Sequence, residues 1–237
     1  MALNPTLPAG IGVAHCRRLR AVWRSAGWPC QDLVEVELLA AGLLERRRDD
    51  AGRETLRVTD AGVQVLDSTL QRNRAARSAH EALVERVSRE MQRDGRLVWR
   101  GLALRAPVPA DGRTQWAMAI PDVFSIRHTT AEDRVEPVVH EIKVQRADLL
   151  SDLRHESKRA AYLALSSQCW YVLAAGVGRA EEIPPEYGVI LAHDDARAFE
   201  MARAAPKRAM RPPLAMWMAL ARANAEPAQE DDAQGCL

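Results

Sequence analysis

A chain of 237 residues, 47% apolar and 27% charged, can bury a real core and is long enough for one large domain or two small ones. The formal net charge is only +1, so no overall field marks a polyanionic partner, and a basic footprint has to be local. No apolar run approaches the ~18 residues of a membrane span and no secretory pattern opens the chain. The cysteines, Cys16, Cys30, Cys169 and Cys236, show neither zinc-knuckle nor disulfide-framework spacing. The expectation is a cytoplasmic protein with no membrane partner.

Residues 1–12, rich in Pro and Gly, read as a leader. A first helix is predicted over 13–26, with Val13, Leu19, Val22 and Trp23 as its apolar positions and Arg17, Arg18, Arg20 and Arg24 beside them. Gly27-Trp28-Pro29 breaks it. A second helix over 31–41 presents Leu33, Val34, Val36, Leu38 and Leu39, and Gly42 stops it. Residues alternating around Asp49-Asp50-Ala51-Gly52 from Leu43 to Thr59 signal a β-hairpin, and Asp60-Ala61-Gly62 leads into another helix. The stretch "AAGLLERRRDDAGRETLRVTDAG" resembles the wing and flanking helices of a MarR-type winged helix, which places a winged-helix-like domain at 13–70. That resemblance makes Arg46, Arg47 and Arg48 candidate DNA-backbone contacts, although residues 1–78 hold only 12 basic against 9 acidic side chains. A homodimer built through this module is the alternative partner.

Residues 71–79, carrying Arg72, Arg74 and Arg77, read as a helical connector. Beyond it a helix is predicted over 80–93, with Leu83, Val84, Val87 and Met91 on one side and Asp94-Gly95 as its stop. A strand over 97–104 precedes a Pro-rich loop, a second strand covers 116–126 with Pro121 interrupting it, and a third covers 138–144. One long helix over 147–166 should cross to buried-type strands at 169–173 and 187–191. Asp194-Asp195 reads as a turn into a last strand near Phe199, 212–224 as an amphipathic helix, and 225–237 as an acidic tail. The order is that of a mixed α/β domain over 80–224.

Glu141 and Lys143, two apart on a strand, project from one face, while Ile142 and Val144 face a core expected beneath the long helix. If Arg127 pairs with Glu136 in an antiparallel hairpin, Asp122 falls opposite Glu141, with Cβ atoms roughly 4.5–5.5 Å apart. Two carboxylates that close need compensation, and a hard divalent cation with oxygen ligands supplies it. Lys143 adds a positive charge able to stabilise a phosphate in transit. A salt-bridge ladder across the hairpin is the competing reading. His140 should point away as a packed core histidine. Arg is 30 of the 33 basic residues and the only lysines are Lys143, Lys158 and Lys207, so a lysine that persists is either chance or a place where a compact ammonium cannot give way to a planar guanidinium.

"Ile-Pro-Asp", eighteen residues, then "Glu-Ile-Lys" resembles the signature of the PD-(D/E)XK nuclease superfamily. The longer stretch "HEIKVQRADLLSDLRHESKRAAYLALSSQCWYVLAAG … IPPEYGVILAH" is similar to its MmcB family of DNA-repair proteins. The resemblance implies a restriction-endonuclease-like core with α-β-β-β-α-β order. It also implies Mg²⁺-dependent (or Mn²⁺-dependent) hydrolysis of DNA phosphodiesters, with Asp122 and Glu141 as metal ligands and Lys143 as the charged catalytic group. Members often add an acid from the first helix; of Glu81 and Glu85, four apart on one face, Glu81 is preferred. Gln145, on the face of Glu141 and Lys143, joins the catalytic candidates. Arg154 and Lys158, sharing a face of the crossover helix, are candidate phosphate contacts, against a solvated face paired with Asp152 and Glu156. A DNA-binding regulator or repair scaffold that keeps the nuclease fold without turnover is the alternative function.

Overall fold

The computed structural model describes residues 8–25, 27–110, 113–193 and 199–227, with the side chains of 109, 110, 113 and 114 excepted. The Asp194-Asp195 turn, most of the leader and most of the acidic tail lie outside these residues. The chain divides into two compact units, Met1–Arg77 and Ser78–Leu237.

In the first unit, α1 (Val13–Arg24) and α2 (Leu33–Ala40) precede a hairpin of β1 (Leu44–Arg48) and β2 (Glu54–Val58), and α3 (Asp60–Arg93) then begins. The hairpin closes at Arg48↔Glu54, where the Asp49 carboxylate accepts from the Ala51 and Arg53 amides at 3.0 and 2.9 Å. Asp32 caps α2 by accepting from the Glu35 amide at 2.9 Å. The core gathers Cys16, Leu19, Val22, Leu38, Leu43, Leu44, Leu56 and Val58 with Val65 and Leu66 of α3. Val13 and Trp23 of α1, and Leu33 and Val36 of α2, are exposed rather than packed. Glu35 takes the inward place on α2, because the bend at Cys30-Gln31 turns two backbone amides onto its carboxylate. Gly62 is required by packing, since a Cβ there would stand 2.4 Å from the Leu43 carbonyl oxygen.

The second unit is a mixed α/β assembly. The predicted 71–79 connector and 80–93 helix belong to the one continuous α3, which ends before Gly95 at φ +71°. Strands β3 (Arg96–Arg100), β6 (Val123–Arg127), β7 (Val138–Lys143), β8 (Gln168–Ala174), β9 (Gly188–Ala192) and β10 (Phe199–Arg203) form one six-stranded sheet in the order β10-β9-β8-β7-β6-β3. Its centre, β7-β8-β9, is parallel and its flanks antiparallel. All six residues of β7 are buried, as befits a central strand covered on both faces.

The expected strands and crossover helix need correction. The predicted strand over 97–104 stops at Arg100, and the Pro-rich stretch after it is β4 (Leu104–Ala110), paired with β5 (Arg113–Ala119) in a separate two-stranded sheet. Pro107 and Pro109 fit there because β4 has only one neighbour and its other edge needs no donors. The predicted strand over 116–126 is therefore two strands in two sheets, divided at 120–122. The crossover helix is also two pieces, α4 (Arg146–Asp152) and α5 (Glu156–Leu165). A final helix, α6 (Leu214–Arg222), follows β10.

The sheet faces divide the core. On one side Val98, Val123, Ile142 and Val172 meet Leu83, Val84 and Val87 of α3. On the other, Phe124, Val139, Tyr171 and Leu173 meet Leu149, Tyr162 and Leu165 of α4 and α5, the inner face of β4-β5, and Met216 and Leu220 of α6. Ile142 thus faces α3, and the crossover helices cover the side to which Glu141 and Lys143 point, the reverse of the sequence-based expectation.

Candidate functional site

The β6-β7 ladder pairs Val123 with His140, Phe124 with Val139 and Ser125 with Val138. Carried one step further, that register sets Asp122 across from Glu141. Asp122 sits where the chain leaves the 120–122 bend and enters β6. Its Oδ2 accepts from the Ile142 amide at 2.7 Å, and its Oδ1 lies 3.3 Å from His80 Nε2. The carboxylate is therefore held at the end of the sheet between a strand and α3.

Glu141 and Lys143 stand side by side on β7, each side chain 4% exposed. Lys143 Nζ donates to Glu141 Oε1 at 2.9 Å, and Lys158 Nζ, reaching in from α5, donates to the same oxygen at 2.6 Å. Lys158 also donates to Asp152 Oδ1 at 2.6 Å, and the Tyr171 hydroxyl of β8 donates to Asp152 Oδ2 at 2.6 Å. Lys143 Nζ lies 3.4 Å from Asp148 and 3.5 Å from Asp152. Tyr162 closes the floor: its hydroxyl donates to the Ile120 carbonyl at 3.1 Å, and Lys158 Nζ lies 5.3 Å from its ring centre.

The break between α4 and α5 makes this convergence. It turns Asp152, the last residue of α4, and Lys158, two residues into α5, toward the same spot above β7. Arg159 stabilises the break by donating to the carbonyls of Asp152 and Leu153, which an unbroken helix would have used itself.

The electrostatics leave one demand unmet. Burial raises the Glu141 carboxyl above the usual range, the neighbouring Asp122 charge raises it further, and the two lysines only partly oppose this. Burial works against a charged Lys143 and Lys158, but the attraction of Glu141 and Asp152 outweighs it and holds both ammoniums above their ordinary range. Burial likewise opposes a charged Asp152, yet the hydrogen bonds from Lys158 and Tyr171 outweigh it, so its carboxyl sits below the ordinary range. A hydrogen bond to Asp122 raises His80. Asp122, Glu141, Asp148 and Asp152 thus bring four carboxyl groups toward two ammoniums, those of Lys143 and Lys158.

Among the described residues, the buried Glu141 Oε2 has no hydrogen-bond partner. A buried, unpartnered carboxylate oxygen is costly unless it is protonated or meets a cation. Among the described residues no three His, Cys, Asp or Glu side chains are grouped to hold a metal ion. Asp122 and Glu141 are the carboxylates that could hold a cation here, and such an ion would have to take its other ligands from water or phosphate, as Mg²⁺ can.

Among the catalytic candidates, Asp122, Glu141 and Lys143 are brought to one end of the sheet. Glu81 is not: its side chain is 67% exposed and its carboxylate lies 4.0 Å from His80 Nδ1. His80, one residue earlier, occupies the position that the first-helix acid was expected to fill. Gln145 does not extend the strand face, because β7 ends at Lys143; it is the exposed residue before α4. Arg154 and Lys158 do not share a helix face: Arg154 is exposed in the turn between α4 and α5, whereas Lys158 reaches inward. Asp152 is buried in the network rather than solvated. In the first unit Arg46, Arg47 and Arg48 are half to three-quarters exposed, yet each approaches a glutamate: Arg46 with Glu35 and Glu54, Arg47 with Glu45, Arg48 with Glu54. His140 is buried on the α3 side, stacked on Trp170 at 6.5 Å between centroids.

No family model matches the chain, and no curated protein matches it. A solved structure of a protein of unknown function from Silicibacter pomeroyi is similar at 24% identity and a TM-score of 0.40. The match covers 58% of this chain and 79% of that one. No helix among the described residues is long and apolar enough to cross a membrane.

Proposed function

We propose that the protein is a metal-dependent DNA nuclease of the PD-(D/E)XK kind, hydrolysing phosphodiester bonds in a DNA-repair setting. In this reading the second unit is a restriction-endonuclease-like core and the first a winged-helix-like module that holds DNA. The observation that carries it is the buried Glu141 carboxylate near Asp122, with one oxygen fixed by two lysines and the other without a hydrogen-bond partner among the described residues.

Asp122 and Glu141 would hold the ion, Mg²⁺ or Mn²⁺, which when bound supplies Lewis-acid polarisation of the phosphate and a more acidic water. The chain's own groups do the rest. Ile142 N–H and His80 fix the two oxygens of Asp122, so that the carboxylate does not have to reorganise. Lys158, pinned by Asp152, holds Glu141 Oε1 and thereby aims Oε2. Lys143 places a permanent positive charge where a scissile phosphate gains negative charge.

A second reading, a DNA-binding scaffold without turnover, has its own support. Lys143 is engaged by three carboxylates, and Arg46, Arg47 and Arg48 each approach a glutamate. Incubation of supercoiled plasmid with the protein and Mg²⁺ or Mn²⁺ separates the two. Nicking that requires the metal and is lost in Lys143→Met, which keeps the buried stem, supports the nuclease; retained DNA binding with no nicking under either metal supports the scaffold.

A further inference from the structure

The β4-β5 hairpin has two unlike faces. Leu104 and Ala106 stand across from Ala119 and Ala117, and with Val108 this face joins the main core. On the opposite face Arg105 pairs with Met118 and Pro107 with Trp116. There Trp116, Met118 and, two residues on, Ile120 are 57, 58 and 55% exposed. Helix α6 walls one flank and creates a groove of about 530 Å³, lined by Leu102, Arg105, Met118, Met218 and Arg222 among others. A contiguous apolar strip of this kind marks a contact surface rather than incidental exposure.

The groove's charge has one sign. Among the described residues, Arg105 and Arg222 are its only charged lining residues, and both are exposed. Elsewhere in this unit Arg100, Arg127 and Arg146 each hold a glutamate; among the described residues no such carboxylate lines this groove. The occupant must therefore bring both flat apolar surface and negative charge. A second copy seated through the same face would set these arginines against their own duplicates with no acid to offset them. A duplex offers charge but hides its bases. An unpaired nucleic-acid strand offers both, stacking bases on an aromatic ring while its phosphates meet arginines.

The strip also leads to the site. Its last member, Ile120, lies two residues before Asp122, and the Ile120 carbonyl is the acceptor of the Tyr162 hydroxyl that floors the lysine network. We infer that the exposed face of β4-β5, with the groove beneath α6, binds an unpaired DNA strand and guides it to Asp122. This deepens the nuclease reading and rests on it, by naming single-stranded or frayed DNA as the form that is engaged.

The test is fluorescence anisotropy of full-length protein with a labelled twelve-nucleotide oligo-dT and with a twelve-base-pair duplex, in EDTA so that no cleavage intervenes. The oligo-dT should bind more tightly than the duplex. Trp116→Ala should weaken oligo-dT binding about tenfold, consistent with the loss of one base–aromatic stack, and Trp116→Phe should restore most of it. The Arg105→Ala/Arg222→Ala pair should flatten the salt dependence by about 1.4, at ~0.7 per phosphate contact. Both sets of positions are exposed, and matching circular dichroism and melting curves confirm that the variants fold. Oligo-dT affinity unchanged by these variants would overturn the inference, as would a concentration-dependent dimer that Trp116→Ala dissociates. The two proposals fail separately. Metal-dependent plasmid nicking with unaltered oligo-dT binding removes the groove alone, whereas groove-dependent binding without nicking removes the nuclease alone.

Discussion

Lys158 Nζ lies 2.6 Å from Glu141 Oε1 and the same distance from Asp152 Oδ1, so one ammonium ties α5, the end of α4 and the central strand together. Two of the chain's three lysines meet on a single carboxylate oxygen of Glu141. The third, Lys207, pairs with Glu136 elsewhere on the unit. The two site lysines are not equivalent, since Lys143 is almost fully enclosed and Lys158 is 37% exposed.

Truncating them should therefore have different results. Lys143→Ala leaves buried acids without their enclosed partner and is expected to destabilise the protein by about 3–5 kcal/mol, the range for breaking a buried pair from one side. Lys143→Met, which keeps the stem, should retain more stability yet lose activity by about 10²–10³-fold, the scale of a lost transition-state charge contact. Lys158→Ala should be milder in urea unfolding but should weaken divalent-metal affinity, because Glu141 is no longer aimed. Equal effects of the two alanine variants on both stability and metal affinity would show that the site does not distinguish them.

His80 acts on Asp122 from α3 across 3.3 Å. Among the described residues its removal leaves the Ile142 amide to hold Asp122, so His80→Ala is expected to weaken metal affinity by roughly 10–100-fold, the usual effect of losing a ligand's supporting partner. The melting temperature should change little, since the ring is partly exposed. Glu81→Ala is the control and should leave metal affinity unchanged; a large effect there, with none at His80, would restore the assignment made from sequence.

His140 gives a pH dependence of known sign. Burial first, and the Arg96 charge second, push its imidazole down to about 3. In the unfolded chain it titrates near its ordinary ~6.5. Above that pH both states are neutral and the group contributes no slope. Below it the unfolded chain takes up a proton that the folded one refuses, so stability falls by up to about 1.4 kcal/mol per pH unit until the folded value is reached. Urea unfolding at pH 7, 5.5 and 4.5 should show a shallower acid slope for His140→Phe, which keeps the stack on Trp170. Identical slopes in the two proteins would mean that the imidazole is not held neutral.

The strand carrying Glu141 and Lys143 was legible because period-two geometry fixes their common face, and the register followed from assuming Arg127 opposite Glu136. The ladder itself ends at Ser125↔Val138 and the Arg127 amide donates to the Val135 carbonyl, so Arg127 and Glu136 meet through their side chains rather than as a strand pair, at 2.6 Å from Nε to Oε2. The helix break at 153–155 was not legible, because the sequence there, Leu-Arg-His, has neither Gly nor Pro. What permits the break is a tertiary substitution of donors, with Arg159 taking the carbonyls. With the helix read as continuous, Asp152 looked solvated and Lys158 looked outward-facing. His80 was unreadable for a related reason: its partner lies 42 residues away, and local spacing contains no trace of that contact. Pro107 and Pro109 concealed β4, since proline reads as loop wherever a free strand edge cannot be foreseen.

Calorimetric titration with Mn²⁺ tests the shared-cation account most directly, because it needs neither substrate nor turnover. The wild-type protein should bind a single ion per chain, and Asp122→Asn and Glu141→Gln should each abolish that binding while remaining folded. Binding of the same strength in either variant, or no binding by the wild type, would contradict a cation held between the two acids.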